Sequence, residues 1–250
     1  MKKLVLIVLA ICLCMLVLGQ NETPNLHNEI DEVEISPPSF TGIRDFSDYY
    51  AVDANYLKQY LATNINYPDD ALNCGREGTE VIKFKVNALG KVTDIHIVNN
   101  VCPAIDKEIL RVLENTSGMW KPGIKDGTPV TMEQEVSIVF SVSDSPVNAR
   151  ARFLEIASSC FTRGTEAFYL KGKSKKAERL FSQGIRYMPH DQSLLLLRGL
   201  ARYEQGNIDG ATEDWERLFE LGQLDLTSEY LVRAKGMKAY DAVIAMLKEK

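Results

Sequence analysis

The sequence predicts an α+β protein: a small domain with a three-stranded antiparallel sheet and two helices, followed by an all-α array of stacked helical hairpins. Three patterns predict it. Between Thr79 and Val142, three runs alternate apolar and polar residues with the period of two that marks a half-buried strand. Between the second and third runs, Ile105, Ile109, Val112 and Leu113 form an i, i+4, i+7, i+8 stripe, the signature of an amphipathic helix. Beyond residue 147 the alternation stops, and selected positions recur 34 residues apart.

The chain's 250 residues are enough for one or two domains with a real core, and 45% hydrophobic with 25% charged residues is ordinary globular composition. A formal net charge of -5, spread along the chain, leaves no basic footprint for nucleic acid. Lys2 and Lys3 precede an apolar run from Leu4 to Leu18, then Gly19 and a polar stretch. This predicts a signal peptide over 1–19, cleaved after Gly19, and hence export. The alternative is an uncleaved inner-membrane anchor over 4–18, although the run is shorter than the ~20 residues a spanning helix needs. Ile11 and Leu13 precede Cys12 and Cys14, where lipidation would require a small residue. Cleavage leaves Cys74, Cys102 and Cys160, an odd set in which at least one thiol is free.

Residues 20–52 read as a solvated acidic linker: Glu22, Glu29, Asp31, Glu32 and Glu34 lead to Pro37-Pro38 without any period. Such a coil would span on the order of 30 Å. The central domain is expected over 53–144. Asp53 caps a short helix that carries Tyr56, Tyr60 and Leu61 on one face, and Tyr67-Pro68 stops it. Pro68 then starts a single helical turn over Asp69–Leu72. Thr79–Val86 is a strand with Ile82, Phe84 and Val86 inward, and Lys91–Val98 pairs with it through the loop Asn87-Ala88-Leu89-Gly90. Cys74 and Cys102 fall at the open end of this hairpin. That placement permits a disulfide, worth ~3–4 kcal/mol in the chain-entropy model, and equally permits two unpaired thiols. Pro103 begins the helix over Ala104–Asn115, Trp120-Lys121-Pro122-Gly123 is irregular, and Gly127-Thr128-Pro129 is a turn. Glu133–Val142 is the third strand, with Val136, Ile138, Phe140 and Val142 inward.

An ordered set of short motifs runs through this domain: Tyr67-Pro68-x-x-Ala71, Glu77-Gly78-Thr79, Phe84-x-Val86 with Gly90, Asp106-x-Glu108 with Arg111-Val112, Trp120-Lys121-Pro122-Gly123 and Gly127-x-Pro129-Val130. Together they resemble the C-terminal domain of TonB-type energy transducers, in the form common in Bacteroidetes. The resemblance implies an antiparallel sheet with helices on one face. It also implies that the domain binds an extended peptide, the TonB box of an outer-membrane transporter, as an added strand in the periplasm. The physics agrees, because a sheet edge with unpaired N–H and C=O groups is a template for strand addition. The expected edge is the third strand, with Glu133, Glu135, Ser137, Val139 and Ser141 outward; Tyr67, Pro68, Trp120, Pro122 and Gly123 are motif residues, of which Trp120 and the turn at Pro122-Gly123 are expected to serve packing. The motor half of such a transducer is poorly represented: Leu4–Leu18 carries no histidine and no charge, and the linker is short.

In residues 147–250, Gly172, Ala177 and Phe181 recur as Gly206, Ala211 and Trp215, and Phe161 recurs as Leu195. These positions resemble tetratricopeptide repeats, with units from Ser158 and from Gln192 and a degenerate closing pair after Leu226. Repeats of this kind bury their faces only against neighbours, so docking on the central domain is expected. Lys171, Lys173, Lys175 and Lys176 read as a solvated turn.

No glycine-rich phosphate loop and no zinc-protease motif occurs. His27, His96 and His190 are not spaced with acids or cysteines as metal ligands are. The expectation is a non-enzymatic protein-binding module with no cofactor, no metal and no small-molecule substrate. Its partner would be an outer-membrane transporter peptide or another envelope protein. The competing expectation is a periplasmic assembly or scaffold protein whose repeats do the recognition, the TonB-like domain serving as a docking or homodimerisation fold.

Overall fold

Residues 34–42, 56–142, 146–222 and 229–249 are described by the structure, a computed structural model. The predicted signal segment, residues 20–33 and 43–52 of the expected linker, and the Asp53 cap lie outside them. Residues 35–40, inside the expected linker, are already part of the fold. Two short strands, β1 (Ile35–Ser36) and β2 (Ser39–Phe40), flank Pro37-Pro38, which have no N–H to give to a ladder. Helix α1 (Tyr56–Asn64) buries Leu61, and α2 (Asp69–Asn73) is a single turn whose first free N–H groups, on Ala71 and Leu72, donate to the Pro68 carbonyl at 3.0 and 2.9 Å. Strands β3 (Gly78–Val86) and β4 (Val92–Asn99) form the predicted hairpin. Helix α3 (Pro103–Glu114) buries its Ile105, Ile109, Val112 and Leu113 stripe. Three short strands, β5 (Trp120–Lys121), β6 (Gly123–Lys125) and β7 (Thr128–Val130), lead into β8 (Met132–Phe140).

The main sheet has the order β4-β3-β8, antiparallel throughout. Ile82, Phe84 and Val86 of β3 and Val136 and Phe140 of β8 point to the face covered by α1 and α3. The linker expectation is corrected at residues 35–40: β1 pairs with β6, and β2 with β5. The cause is Phe40, which is buried edge-on to Tyr60 at 5.3 Å and to Trp120 at 5.2 Å. The Trp120-Lys121-Pro122-Gly123 stretch, expected to be irregular, is strand on both sides of Pro122. Gly90 ties this stretch to the hairpin. It sits at φ +72, and a Cβ there would lie 2.2 Å from the Trp120 carbonyl oxygen, so only glycine fits.

The helical region contains α4 (Pro146–Thr165), continued by a π-helical turn at Glu166–Leu170, then α5 (Ser174–Tyr187), α6 (Gln192–Tyr203), α7 (Ile208–Glu220), α8 (Glu229–Arg233) and α9 (Lys238–Glu249). Its first helix starts well before Ser158, where the first unit is expected from the sequence. Pro146 opens it, and Ala149, Phe153, Ala157 and Cys160 form a buried stripe. The 34-residue correspondence has a structural counterpart: Ala177 and Ala211 are fully buried, as are Phe181 and Trp215, in α5 and α7 respectively. Leu194, Leu197 and Leu200 complete the core between them. No helix among the described residues is long and apolar enough to cross a membrane. Residues 35–250 form one compact unit.

Candidate functional site

The second face of the sheet is where the two parts of the chain meet. Thr79, Val81, Lys83 and Lys85 of β3 stand opposite Val139, Ser137, Glu135 and Glu133 of β8, all on the face away from α3. The helical region lies on this face. Thr79 Oγ1 donates to the Tyr187 carbonyl at 2.8 Å, and Asn99 Nδ2 donates to the Arg186 carbonyl at 3.4 Å. The approach is close enough to need Gly78, where a Cβ would come within 2.8 Å of the Arg186 carbonyl oxygen. At the end of β8, Arg152 on α4 holds Glu77 through two bonds of 2.8 and 2.9 Å. The Arg152 guanidinium brings the Glu77 carboxyl down to about 2.

Charge is settled across this interface as a chain of ion pairs. Lys83 bridges Glu133 at 3.1 Å and Glu220 at 2.7 Å; Arg217 bridges Glu220 at 3.1 Å and Glu135 at 2.7 Å; His190 Nε2 lies 2.9 Å from Glu135 Oε1. Burial alone would push the Glu135 carboxyl up, but the bonds from His190 and Arg217 outweigh it and bring Glu135 to about 2. Burial likewise opposes charge on Lys83, and its two carboxylates hold it above its ordinary value.

Residues Glu133, Glu135, Ser137 and Val139, expected to face open surroundings, are therefore placed on the face that the helices cover. Glu133 and Glu135 are tied into the ion-pair chain. Ser141 lies beyond the strand end, with its hydroxyl 3.3 Å from Glu77 Oε1. Alternation identifies which residues avoid the first core; it does not say that a second layer lies on the other face.

The backbone edge of β8 is a different matter. Among the described residues β8 pairs only with β3, so its outer edge presents N–H and C=O groups that no other strand takes up. A cavity flanks this edge on each face. On the α3 side, a cavity of about 570 Å³ is bounded by Phe40, Leu57, Trp120, Gln134 and Val136. On the helical side, a cavity of about 520 Å³ is bounded by Phe153, Leu154, Tyr187, Met188 and Pro189, against Ser137 and Val139. Periodicity alone does not mark these helical residues as site residues. Two sequence signals point to them: Leu154 stands beside, and outside, the buried stripe of α4, and the α5–α6 turn is apolar over Tyr187-Met188-Pro189 where a solvated turn would be polar.

The motif residues pack and brace. Tyr67 lies edge-on to Phe140 at 5.5 Å and donates its hydroxyl to the Arg76 carbonyl; burial, with Glu77 nearby, pushes its phenol up to about 12. Trp120 Nε1 donates to Thr116 Oγ1 at 3.1 Å, Pro122 separates β5 from β6, and Gly123 packs against the Met132 thioether. Glu108 accepts from Arg111 and from the Asn66 amide at 2.8 Å, tying α3 to the segment ahead of Tyr67. Glu80 is buried on the α3 side and accepts from the Val101 amide at 2.7 Å; burial, with Asp106 beside it, pushes it up to about 8. Cys74 is exposed, Cys102 half-buried and Cys160 buried, all as free thiols. No group of metal-ligating side chains occurs among the described residues.

Residues 63–142 match the family model of the Gram-negative bacterial TonB protein C-terminal. The match takes in about a third of the chain, from the end of α1 past the end of β8, and leaves the helical region outside it. Two solved structures are similar to part of the chain. One is the NMR solution structure of Helicobacter pylori TonB-CTD, residues 194–285, with 24% identity over 36% of this chain and 94% of that one, at a TM-score of 0.30. The other covers residues 179–285 of the same protein, with 23% identity over 40% of this chain and 92% of that one, at a TM-score of 0.31. No curated protein matches the chain. Residues 63–142 are thus TonB-like, and the domain they form carries a helical region on the second face of its sheet.

Proposed function

We propose that the protein is a non-enzymatic, exported capture module that binds an extended peptide of an outer-membrane transporter, a TonB box, by adding it as a strand to β8. The observation that carries this reading is the outer edge of β8, unpaired among the described residues and flanked by a cavity on each face. A strand laid along it would satisfy backbone groups while its alternate side chains enter the two cavities. The TonB-family match over 63–142 supports the same partner class. A second reading, an assembly or scaffold protein in which the TonB-like domain is a docking or dimerisation fold, has one observation in its favour: the helical region is ion-paired to the sheet through Glu135 and Glu220.

The test is hydrogen exchange on the mature protein with and without synthetic TonB-box peptides. Strand capture expects slowed exchange along β8 and binding weakened about tenfold or more by Val139→Pro, which deletes a backbone donor. Binding with no protection of β8 would refute capture at this edge and favour the scaffold reading. N-terminal sequencing of the exported chain is expected to begin at Gln20; an intact Met1 would support the inner-membrane anchor instead.

A further inference from the structure

Resting on the strand-capture reading, we propose that the helical region is the specificity wall of that groove. Its cavity admits one bulky apolar side chain of the captured strand, and Arg150 at the rim selects an acidic residue two places along.

The geometry of strand addition sets the terms. A strand paired to β8 sits about 4.8 Å away, and every second side chain points to the same face. On the helical side those side chains meet the cavity of about 520 Å³ whose outer wall is Leu154, Tyr187 and Met188. Leu154 is 53% exposed on a helix whose buried stripe runs along Phe153, Ala157 and Cys160, so it contributes little to the helical core. An apolar residue in the groove would cover it.

The charges around the cavity are already committed, with one exception. The Asp191 carboxylate accepts from the Leu194 amide at 2.9 Å, capping α6. His190 faces Glu135, and Arg152 holds Glu77. Among the described residues Arg150 has no carboxylate partner, and it is exposed at the cavity rim near the start of α4. Complementary charge on the captured segment must therefore be negative. Same-face neighbours along a strand lie about 7 Å apart, which puts the acid two residues from the apolar anchor.

The probes are fluorescein-labelled ten-residue Ser/Thr peptides with Leu or Ser at the centre and Asp or Lys two places away, titrated by anisotropy against the full mature chain. The wild-type protein is expected to prefer Leu over Ser and Asp over Lys by about tenfold each. Leu154→Lys should remove the first preference and Arg150→Glu should invert the second. Both residues are exposed, so unchanged thermal midpoints are expected and are checked alongside. If the peptides protect β8 from exchange but neither substitution alters a preference, the wall is refuted and edge capture stands. If no peptide protects β8, both proposals fall.

Discussion

Replacing Glu135 by glutamine tests the interface between sheet and helices at its most committed carboxylate. Its ordinary value of 4.5 falls to about 2, because the bonds from His190 and Arg217 more than compensate burial. At about 1.4 kcal/mol per tenfold change in protonation, that is about 3 kcal/mol of charge stabilisation. The Glu135 side chain is 27% exposed and its Arg217 partner 11%. Solvent screening at that exposure removes about half, so about 1.5 kcal/mol should be lost in Glu135→Gln at neutral pH. The sign follows from linkage. A carboxyl held low in the folded state contributes stability that is fully present above its unfolded value, near 4.5, and is lost as pH falls toward about 2. Urea unfolding of both proteins from pH 7 to pH 2.5 measures this. The gap should hold at about 1.5 kcal/mol down to about pH 5 and then close; in a unit of this size it corresponds to about 3–6 °C in thermal midpoint. A gap below about 0.5 kcal/mol, or one that stays constant or widens on acidification, would refute the assignment of Glu135 to a stabilising ion pair.

Glu80 carries the opposite sign. Its folded-state value is raised to about 8, so its contribution is complete below the unfolded value near 4.5 and lost as pH rises through about 8. Glu80→Gln should flatten the decline in thermal midpoint between pH 6 and pH 9, and an equally steep decline in the variant would overturn this account of Glu80. Phe40→Ala removes a buried ring packed against Tyr60 and Trp120 and should cost about 3 kcal/mol in denaturant unfolding. A loss under about 0.5 kcal/mol would return residues 35–40 to the linker.

The elements that could be read from the sequence are those whose apolar residues lie on one face. Ile82, Phe84 and Val86 alternate with lysines, and Ile105, Ile109, Val112 and Leu113 repeat at helical spacing, so periodicity alone locates them. The strands inside the expected linker could not be read this way. Ile35–Phe40 are held by pairing and by one aromatic residue, and six residues split by two prolines show no period. The same limit hid half of the candidate site. Thr79, Lys83 and Glu135 look like solvated positions of a two-layer domain, and only contact with residues more than fifty positions away in α5, α7 and the α5–α6 turn makes them an interface.

That interface bears on how β8 would work. An edge strand lying on a single helical layer can bend with whatever binds it, and its array-side positions would offer a peptide only Glu133, Glu135, Ser137 and Val139. Here the first two carboxylates are already turned toward Lys83, Arg217 and His190, which removes their charge from competition with a captured strand. Ser137 and Val139, the small and uncharged members of the set, are left at the floor of the helical-side cavity. The ion-pair chain thus does two things at once. It fixes the helices to the sheet, and under the strand-capture proposal it would clear the part of β8 that takes a strand with an apolar residue. Weakening the chain should then loosen peptide selectivity before it loosens the fold, because the cavity wall depends on the relative position of two layers while each layer keeps its own core.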